Sequence, residues 1–441
     1  MNELYKSAQN VAQRLIDAGH ETLFAGGCVR DRLLGKAPKD YDIATSATPE
    51  QVLEVFPKGD SIGAHFGVIL VREGGEHFEI ATFRTDGAYK DGRRPESVTF
   101  ATPEEDAQRR DFTVNGLFEN PLTGEVIDYV NGKQDLEKKV LQAIRNPAER
   151  FQEDALRLMR AVRFATVLDF EIEENTWAAI QENVALLEKI SIERIREEFS
   201  KIIISKNRRR GLELLVDSGL VNYFLPEVLD LIGCEQPPQW HPEGDVYTHT
   251  CIMLEMLKDE PSLELCLGVL FHDIGKPDTY TYDEEDDRIR FNGHDAVGAE
   301  MTKDILKGMK YPNDTVEDVR VMVRNHMSFM HVKDMKTSKL KRFMSRETFP
   351  DEMELHRVDC ASSNGFTENY DFLIDKKEEF ANEPLIPPPL VTGRNLIDMG
   401  HKPGPRFKEI LRSVETEQLE KRLLDAEQAL AWVKQNYPVE A

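Results

Sequence analysis

The spacing of apolar residues changes along the chain, from mixed helix and strand patterns to almost purely helical ones. Residues 2–20 predict a first helix, because apolar side chains recur there at helical intervals; they are Leu4, Val11, Leu15 and Ile16. The segment ATPEQVLEVFP predicts a second helix, opened by Thr48 with Pro49 at its first position. FGVILVRE and HFEIATFR alternate apolar and polar residues around Gly74-Gly75, which predicts two strands joined by a turn.

The later patterns have the helical period. NPAERFQEDALRLMRAVRFATVL predicts a helix with one apolar side. SIERIREEFSKIIIS predicts a helix capped by Ser191, with Arg194, Arg196, Glu197 and Glu198 on its polar side. From there to the end the pattern is nearly all helical. It finishes in one predicted helix with a clear apolar stripe, TEQLEKRLLDAEQALAWVKQNY.

Composition indicates a globular chain in a reducing compartment. The 441 residues suffice for roughly two to four domains, and 40% are hydrophobic while 31% are charged. No apolar run approaches the length of a membrane span, and the N-terminus has no signal-peptide pattern. The five cysteines form no Cys-x-x-Cys pair, so we expect reduced thiols and a cytoplasmic location without a membrane partner.

The charge balance does not by itself suggest a nucleic-acid partner, because the net charge is −24. Much of the acid lies late, in runs such as YDEEDDR and DKKEEF, and a nucleic-acid enzyme needs only a local basic surface. A basic run at residues 206–210 is interpreted as a solvated helix end.

Candidate chemistry is concentrated in the stretch LFAGGCVRDRLLGKAPKDYDIAT. Gly26 and Gly27 let backbone N–H groups approach an anion, and the helix that follows offers its positive end. Asp40 and Asp42 stand two apart in an extended run, so their carboxylates share one face and repel unless a cation lies between them. Hard oxygen ligands of this kind suit Mg²⁺.

In this order, GGCVRDRLLG…KDYDIAT resembles the nucleotidyltransferase signature of the class II tRNA CCA-adding enzymes and bacterial poly(A) polymerases. The resemblance implies that Asp40 and Asp42 are catalytic and hold Mg²⁺, with Glu79 on a neighbouring strand as a candidate third carboxylate. It also implies that Gly27 and Arg30 hold phosphates of the incoming nucleotide.

Two further segments extend the resemblance. DGAYKDGRRP, Asp86 to Pro95, has turn formers and little to bury; it resembles the flexible loop of the family members that add A. EEDAQRRDFTVNGLF resembles the family's Arg-Arg-Asp-Phe-Thr-x-Asn motif. There Arg110 would contact the triphosphate, and Asp111 and Asn115 would position nearby groups.

The next segment carries Asp154, Arg157, Arg160 and Arg163 at intervals of three residues. On a helix such a row drifts around the axis, so Asp154 and Arg157 would be neighbours while Arg163 points away. The resemblance implies that Glu153-Asp154-x-x-Arg157 selects C or A by hydrogen bonds to the base, and that Arg160 and Arg163 support the phosphates or this template. A solvated stripe of paired charges is the alternative.

A second constellation lies in the C-terminal half. The order His249, His272-Asp273, Asp359, with His294 and His326 between, resembles the HD phosphohydrolase superfamily. Imidazoles and carboxylates from separate helices can enclose divalent transition-metal ions that activate water. We expect a metal at His249, His272, Asp273 and Asp359, and we treat a second ion at His294 and His326, and hydrolytic activity, as hypotheses.

The predicted fold class is α+β. A polymerase-β-like nucleotidyltransferase head with a small mixed sheet (1–140) is followed by a helical neck (141–220) and a helical body and tail with the HD domain (221–441). The implied function is addition of C and A, from CTP and ATP, to the 3′ end of tRNA. Three alternatives stay open: an A-adding-only enzyme, a bacterial poly(A) polymerase, and an HD phosphohydrolase with an RNA-binding head. Against the polymerase, SIGAHFGVILV lacks an Arg-Arg-Phe-type segment. The sequence leaves the oligomeric state open.

Overall fold

The computed structural model describes residues 3–61, 67–87, 98–363 and 365–439, with no side chain described for Asp86. The chain forms two compact units, Met1–Leu229 and Asp230–Ala441. Each is described by itself.

The first unit mixes short strands with helices, in agreement with the predicted α+β head. Its strands are β1 (Thr22–Ala25), β2 (Asp42–Thr45), β3 (Val68–Glu73), β4 (Glu76–Thr82), β5 (Arg84–Asp86), β6 (Val98–Phe100), β7 (Leu117–Glu119), β8 (Val126–Asp128), β9 (Val140–Leu141) and β10 (Glu171–Ile172). Its helices are α1 (Glu3–Asp17), α2 (Gly27–Leu33), α3 (Pro49–Val55), α4 (Pro103–Gln108), α5 (Gly132–Lys138), α6 (Pro147–Glu153), α7 (Leu156–Leu168), α8 (Glu174–Asn183), α9 (Ile192–Ile203) and α10 (Arg208–Asp217).

A six-stranded mixed sheet forms the centre of this unit, in the order β3-β4-β2-β1-β7-β8. Strand β2 runs antiparallel to β1 and parallel to β4. The strands β1 and β2 are buried along most of their length, as expected for the middle of a sheet. The predicted first helix, the predicted hairpin β3–β4 and the predicted helix after Thr48 are all confirmed. Thr48 forms a capping box with Gln51.

The neck segment differs from the predicted single helix, because the chain breaks between α6 and α7. Asp154 ends α6 in an extended conformation, and its Oδ1 accepts a hydrogen bond from the Leu156 N–H. Asp154 therefore lies in the break, where its side chain makes a local turn hydrogen bond, and not on the same helix as Arg157. The interval of three residues between the charges predicts one continuous helix, but the extended backbone at Asp154 interrupts it.

Two other details of the neck differ from expectation. Helix α9 begins after Ser191, but the Ser191 side chain makes no capping hydrogen bond. Glu198, expected on the polar side of α9, is buried and pairs with Arg163. The basic run at 206–210 does open a helix, yet Arg208 is buried, and Arg210 binds Asp169 and Glu171.

The second unit is mostly helical, as predicted. Its helices are α11 (Val246–Met256), α12 (Leu263–Phe271), α13 (Lys276–Thr279), α14 (His294–Gly308), α15 (Asn313–Asn325), α16 (Thr337–Met344), α17 (Phe349–Ser362), α18 (Glu368–Glu379), α19 (Gly393–Asp398), α20 (Pro405–Leu419) and α21 (Ala426–Asn436).

Two features of this unit were not predicted. Strands β11 (Tyr280–Asp283) and β12 (Arg288–Phe291) form an antiparallel hairpin inside the region expected to be helical. The predicted last helix is two helices, α20 and α21. Lys421 takes a positive φ between them, and Asp425 caps α21 by accepting from the Gln428 N–H. Within the part of the chain that is described, no helix has the length and apolar character needed to cross a membrane.

Candidate functional sites

The sheet register brings the glycine pair and the carboxylates of the first unit together. Ala25 pairs with Asp42 across β1 and β2, so the turn at Gly26 starts beside Asp42. Ile43 pairs with Ile80 across the parallel strands β2 and β4, so Glu79 lies next to Asp42 on the neighbouring strand. Asp40, Asp42 and Glu79 are all exposed. Three carboxylates thus come together at an accessible place on the inner strands of the sheet.

The negative charge of Asp42 is destabilised by its surroundings. Desolvation by the surrounding protein and the negative charges of Asp40 and Glu79 raise the pKa of Asp42 to about 6, while Arg110 acts in the opposite direction. Because the Asp42 side chain is exposed, we give more weight to the two neighbouring carboxylates than to desolvation. A divalent cation would remove that repulsion, so the cluster fits a bound metal ion such as Mg²⁺.

Arg110 packs onto the glycine turn. Gly26 has φ +71°, a backbone conformation that favours glycine, and a Cβ added there would lie 2.9 Å from Arg110 Nη1, so the guanidinium group would have to move. Gly27, the predicted phosphate contact, begins α2 and has no such close neighbour. Arg110 is held by Asp106, at 3.0 Å from Nη2. Burial would raise the pKa of Asp106, but Arg110 and Arg109 outweigh burial and hold that pKa below its ordinary value.

A hydrogen-bonded chain links α2 to α7. Arg30 donates to Asn115 Oδ1 at 2.6 Å, and Asn115 donates to Asp111 Oδ1 at 3.0 Å. Arg160 donates from Nε to Asp111 Oδ2 at 2.8 Å. Burial would raise the pKa of Asp111, yet Arg160 and Asn115 hold it well below the ordinary range. Four residues from three motifs of the sequence therefore form one fixed network.

The ring of Phe164 gathers three arginines. The guanidinium carbons of Arg163, Arg160 and Arg30 lie 3.9, 5.2 and 5.3 Å from the ring centroid. The guanidinium groups of Arg160 and Arg163 therefore lie over the same ring. Cations over an aromatic face are stabilised by the ring quadrupole, so Phe164 allows like charges to cluster.

The two residues expected to select the base have separate side-chain partners. Asp154 lies 3.5 Å from the Arg194 guanidinium. Arg157 is buried and donates to Glu153 at 2.9 Å and to the backbone carbonyls of Arg150 and Arg109. These donors would have to be released, at least in part, for Arg157 to bind a base. The predicted loop Asp86–Pro95 lies, from residue 88 on, outside the described residues.

In the second unit, three histidines share one tautomer. The Nδ1 atoms of His272, His294 and His326 each donate to the backbone carbonyl three residues earlier, at 2.7–2.8 Å. His272 and His326 follow directly after α12 and α15, where helix carbonyls are free to accept. Because Nδ1 carries the hydrogen, each Nε2 keeps a lone pair available for a metal ion.

Asp273 lies at the centre of this cluster. Its Oδ2 lies 3.0 Å from His272 Nε2 and 2.6 Å from Lys276 Nζ, while Oδ1 lies 3.4 Å from His294 Nε2. Burial would raise the pKa of Asp273, but His272 and Lys276 keep it well below the ordinary value. The two carboxylate oxygens therefore face different histidines, which is an arrangement able to bridge two ions.

The pair His294 and His326 fits a cation particularly well. Their Nε2 atoms are 3.1 Å apart, and burial lowers the pKa of His326 to about 3, so that imidazole is neutral at physiological pH. Two lone pairs at this distance repel unless a proton or a metal ion lies between them. The buried group Asp273, His294 and His326 has donor atoms close enough to share one ion.

His249 and Asp359 complete the constellation. His249 Nε2 lies 3.2 Å from Asp359 Oδ1, and His249 Nδ1 lies 2.6 Å from Glu243. Burial would lower the pKa of His249, but the carboxylates of Asp359 and Glu243 beside its two ring nitrogens raise it to about 9. His249, His272 and Asp273 form a second close group that shares Asp273 with the first. The predicted ligands thus come from three helical segments: His249 lies in α11, His272 and Asp273 directly follow α12, and Asp359 lies in α17.

A cavity of about 740 Å³ opens onto these groups. Aromatic and basic side chains line it beside the histidines, among them Trp240, Phe291, Phe366, Arg288 and Lys276. Three further residues with site contacts, Glu243, Lys276 and Phe164, have no role predicted by a sequence motif. Lys276 follows the His-Asp pair by three residues, which is a usable signal, whereas Glu243 lies in a loop without periodicity.

Three family models match the chain, each over its own segment. The model described as the poly A polymerase head domain matches residues 22–142, and the one described as a probable RNA and SrmB-binding site of polymerase A matches residues 169–232. The HD domain model matches residues 245–356, which includes all the proposed ligands of that centre except Asp359.

The curated relatives include CCA-adding enzymes. The chain is 45% identical over 242 residues to that of Lactobacillus helveticus (strain DPC 4571), which covers 55% of this chain and 59% of the relative. It is 47% identical over 232 residues to that of Lactococcus lactis subsp. lactis (strain IL1403), which covers 52% and 58%. The chain thus matches about three-fifths of the length of these relatives.

The solved structures that resemble this chain extend over nearly all of it. The Bacillus stearothermophilus CCA-adding enzyme in complex with CTP has a TM-score of 0.76 at 26% identity, covering 99% of this chain and 98% of that one. The Thermotoga maritima CCA-adding enzyme complexed with tRNA shares the fold, with a TM-score of 0.60 at 18% identity over 97% and 94% of the two chains. Segments that match a poly A polymerase head domain, a probable RNA-binding site of polymerase A and an HD domain thus follow one another in this chain.

Proposed function

We propose that the protein adds C and A, from CTP and ATP, to the 3′ end of tRNA without a nucleic-acid template. The observation that carries the proposal is the convergence of Asp40, Asp42 and Glu79 beside the Gly26 turn and Arg110. A glycine turn, a carboxylate cluster or an arginine each occurs in many proteins. Their combination in a segment that matches the poly A polymerase head domain favours nucleotidyl transfer. A tRNA substrate agrees with the cytoplasmic location expected from the sequence.

In the proposed reaction, the 3′-hydroxyl of the RNA attacks the α-phosphorus of the nucleotide, and pyrophosphate leaves. Asp40 and Asp42, with Glu79 as a third candidate, would hold Mg²⁺, which supplies charge neutralisation for the attacking and leaving oxygens. Gly27, Arg30 and Arg110 would bind the phosphates. Asp106 and Asn115 would keep the two guanidinium groups oriented, since each already accepts from one of them.

We assign nucleotide selection to the neck, within a division of the chain into a head (1–140), a neck (141–220) and a body with tail (221–441). Asp154 would accept from the amino group of C or A, and Arg157 would donate to ring acceptors. Arg160 and Arg163, gathered on Phe164, would support the phosphates or this template.

The HD centre is proposed as a second metal site with phosphohydrolase chemistry. His249, His272, Asp273 and Asp359 provide mixed nitrogen and oxygen donors, which suit Mn²⁺, Fe²⁺, Co²⁺ or Ni²⁺ better than Mg²⁺. The facing Nε2 atoms of His294 and His326 support a second ion that shares Asp273.

The assay uses tRNA that ends before CCA, incubated with CTP, ATP or both. Full CCA addition predicts extension by C residues with CTP alone and complete CCA ends with both nucleotides. Extension of a tRNA that already ends in CC, with no use of CTP, would identify an A-adding-only enzyme. Long A tails would identify a poly(A) polymerase. The names of the relatives favour the first outcome.

A further inference from the structure

We propose that Glu243 is a positioning residue that orients His249 as a metal ligand. The inference rests on the proposed metal centre of the second unit and assigns a role there to a residue outside the predicted ligand set. Glu243 would act by fixing the ring orientation and tautomer of His249, without touching the metal ion.

His249 is oriented differently from the other three histidines. His272, His294 and His326 donate Nδ1–H to backbone carbonyls. His249 lies within α11, where backbone carbonyls are used by the helix itself, and its Nδ1 instead lies 2.6 Å from Glu243 Oε1. A carboxylate is a stronger acceptor than a carbonyl, so it fixes the tautomer and increases the basicity of Nε2. That Nε2 faces Asp359 Oδ1 at 3.2 Å.

Glu243 is held at this place by the loop that carries it. Gly244 has φ +129°, a backbone conformation that favours glycine, so the chain can turn sharply between Glu243 and α11. Asp245 then caps α11 by accepting from the Thr248 N–H and also accepts from the Gly233 N–H at 2.7 Å. The carboxylate of Glu243 is thereby directed back onto the helix that it precedes.

The burial of Glu243 argues against a purely structural role. Its side chain is 7% exposed, and within the described residues its Oε2 atom has no hydrogen-bond partner. An incompletely satisfied buried carboxylate is costly for stability, so packing alone gives no reason for it. His241 Nδ1 also contacts Oε1, at 2.9 Å, which adds a second donor but leaves Oε2 without one.

The test measures Mn²⁺ binding to the metal-free full chain, together with urea unfolding of the same metal-free protein. Glu243→Ala should weaken Mn²⁺ binding roughly tenfold to hundredfold. Glu243→Gln should weaken it severalfold, because the amide oxygen still accepts from His249 but carries no charge. Glu235→Ala, an exposed glutamate in the same loop, should bind as the wild type does.

The metal-free Glu243→Gln protein should unfold at the same urea concentration as the wild type, although it binds Mn²⁺ more weakly. If Glu243 were only structural, weaker binding would be accompanied by lower stability of the metal-free protein. Equal Mn²⁺ affinity in Glu243→Gln and wild type would overturn the inference, even if Glu243→Ala fails to fold. If both Glu243 variants bind Mn²⁺ as tightly as the wild type does, the metal centre is retained and only the role of Glu243 is excluded. A wild type that binds no Mn²⁺ overturns the metal centre and this inference together.

Discussion

At the scale of single residues, the head site is a cluster of negative charges that the fold holds close together. Asp42 bears the clearest sign of this, because Asp40 and Glu79 oppose its ionisation. Such a site is unfavourable in the metal-free protein and becomes favourable when a cation binds. Removing one carboxylate should therefore affect activity and stability in opposite directions.

Asp42→Asn should reduce nucleotide incorporation at least roughly thousandfold, since losing a metal contribution of several kcal/mol costs about tenfold in rate for each 1.4 kcal/mol. Nucleotide and tRNA binding should be largely retained, because the lost interaction acts in the transition state. The free energy of unfolding of the metal-free variant at pH 7 should equal or exceed that of the wild type. Glu76→Gln, exposed on the same sheet, is the control. Near-normal incorporation by Asp42→Asn would remove it from catalysis.

Alanine variants of Asp154 and Arg157 should both change base selection, but only the Arg157 variant should also lose stability. Asp154→Ala should admit UTP or GTP roughly tenfold to hundredfold more often, since a good base contact gives about 1–3 kcal/mol of discrimination. Arg157→Ala should do the same and also lower the unfolding free energy by roughly 1.5–3 kcal/mol, because the buried guanidinium group and its hydrogen bonds to Glu153 and to two backbone carbonyls are lost. Glu149→Ala, exposed on α6, is the control. A lower rate with unchanged base choice would assign this region to phosphate binding or folding.

Residue-level predictions from the sequence were most accurate where a short motif states the geometry directly. Asp42 begins β2, and His272 and Asp273 directly follow α12, so the motifs agree with the local structure while the roles of these residues stay predictions. Glu243 and Phe164 could not be found in the same way, because their partners lie on other segments and neither follows a periodic pattern. Periodicity describes which face a residue occupies, whereas these roles depend on which segments meet.

At the scale of elements, helix ends determine much of both sites. Two metal-centre histidines follow helix ends, and Asp154 occupies the break between α6 and α7. The spacing of apolar residues across 147–168 and 416–437 predicts one continuous helix in each segment. The breaks that the structure shows there are only a few residues long, so they hardly change the helical spacing of the apolar residues. The hairpin β11–β12 was missed for a related reason: its strands have four residues each and carry many charges.

The network between α2 and α7 depends on an ionised Asp111. The pKa of Asp111 is lowered, so its contribution to stability is present above the unfolded value of about 4 and is lost as pH falls toward the folded value. Asp111→Asn should therefore lower the unfolding free energy by roughly 1.5–3 kcal/mol at pH 7. The difference from wild type should shrink below about pH 4. Urea unfolding between pH 7 and 3 measures both, with the exposed Asp17→Asn as the control. A difference that is independent of pH would mean that Asp111 acts without its charge.

The loop that follows β5 should be needed for A addition. Strands β5 and β6 pair from Arg84–Phe100 to Asp86–Val98, and they form the base of the connection. Replacing residues 88–95 with a short Gly-Ser linker leaves this pair intact. We expect ATP incorporation to stop while CTP incorporation is mostly retained, measured on tRNA ending in CC and on tRNA lacking all three residues. If ATP and CTP incorporation fell equally, residues 88–95 would only connect β5 to β6 and would have no specific role in A addition.

At the scale of the whole molecule, each unit contains a cluster of candidate metal ligands with its own donor chemistry. The carboxylates of the first unit favour Mg²⁺, while the imidazoles and carboxylates of the second favour transition metals. The order of head, neck and HD body could be predicted because each carries its own motif. The net charge of −24 was uninformative, since it sums over both units.

His272→Ala should abolish tight transition-metal binding and any phosphodiesterase or phosphatase activity. Nucleotide addition with Mg²⁺ should stay near its starting rate, since the altered ligand belongs to the other unit. Elemental analysis and hydrolysis of a cyclic-nucleotide or phosphomonoester substrate measure the first effect. His331→Ala, an exposed histidine of the same unit, should change neither activity. Hydrolysis that persists in His272→Ala would exclude this centre as its source.

The most direct test of the proposed function is sequencing of the 3′ ends of tRNA that lacked CCA, after incubation with CTP, ATP and Mg²⁺. We predict ends that finish in CCA with the wild type and with His272→Ala, and unextended ends with Asp42→Asn. Ends that carry only A residues, or extension by Asp42→Asn equal to that by wild type, would contradict the proposal.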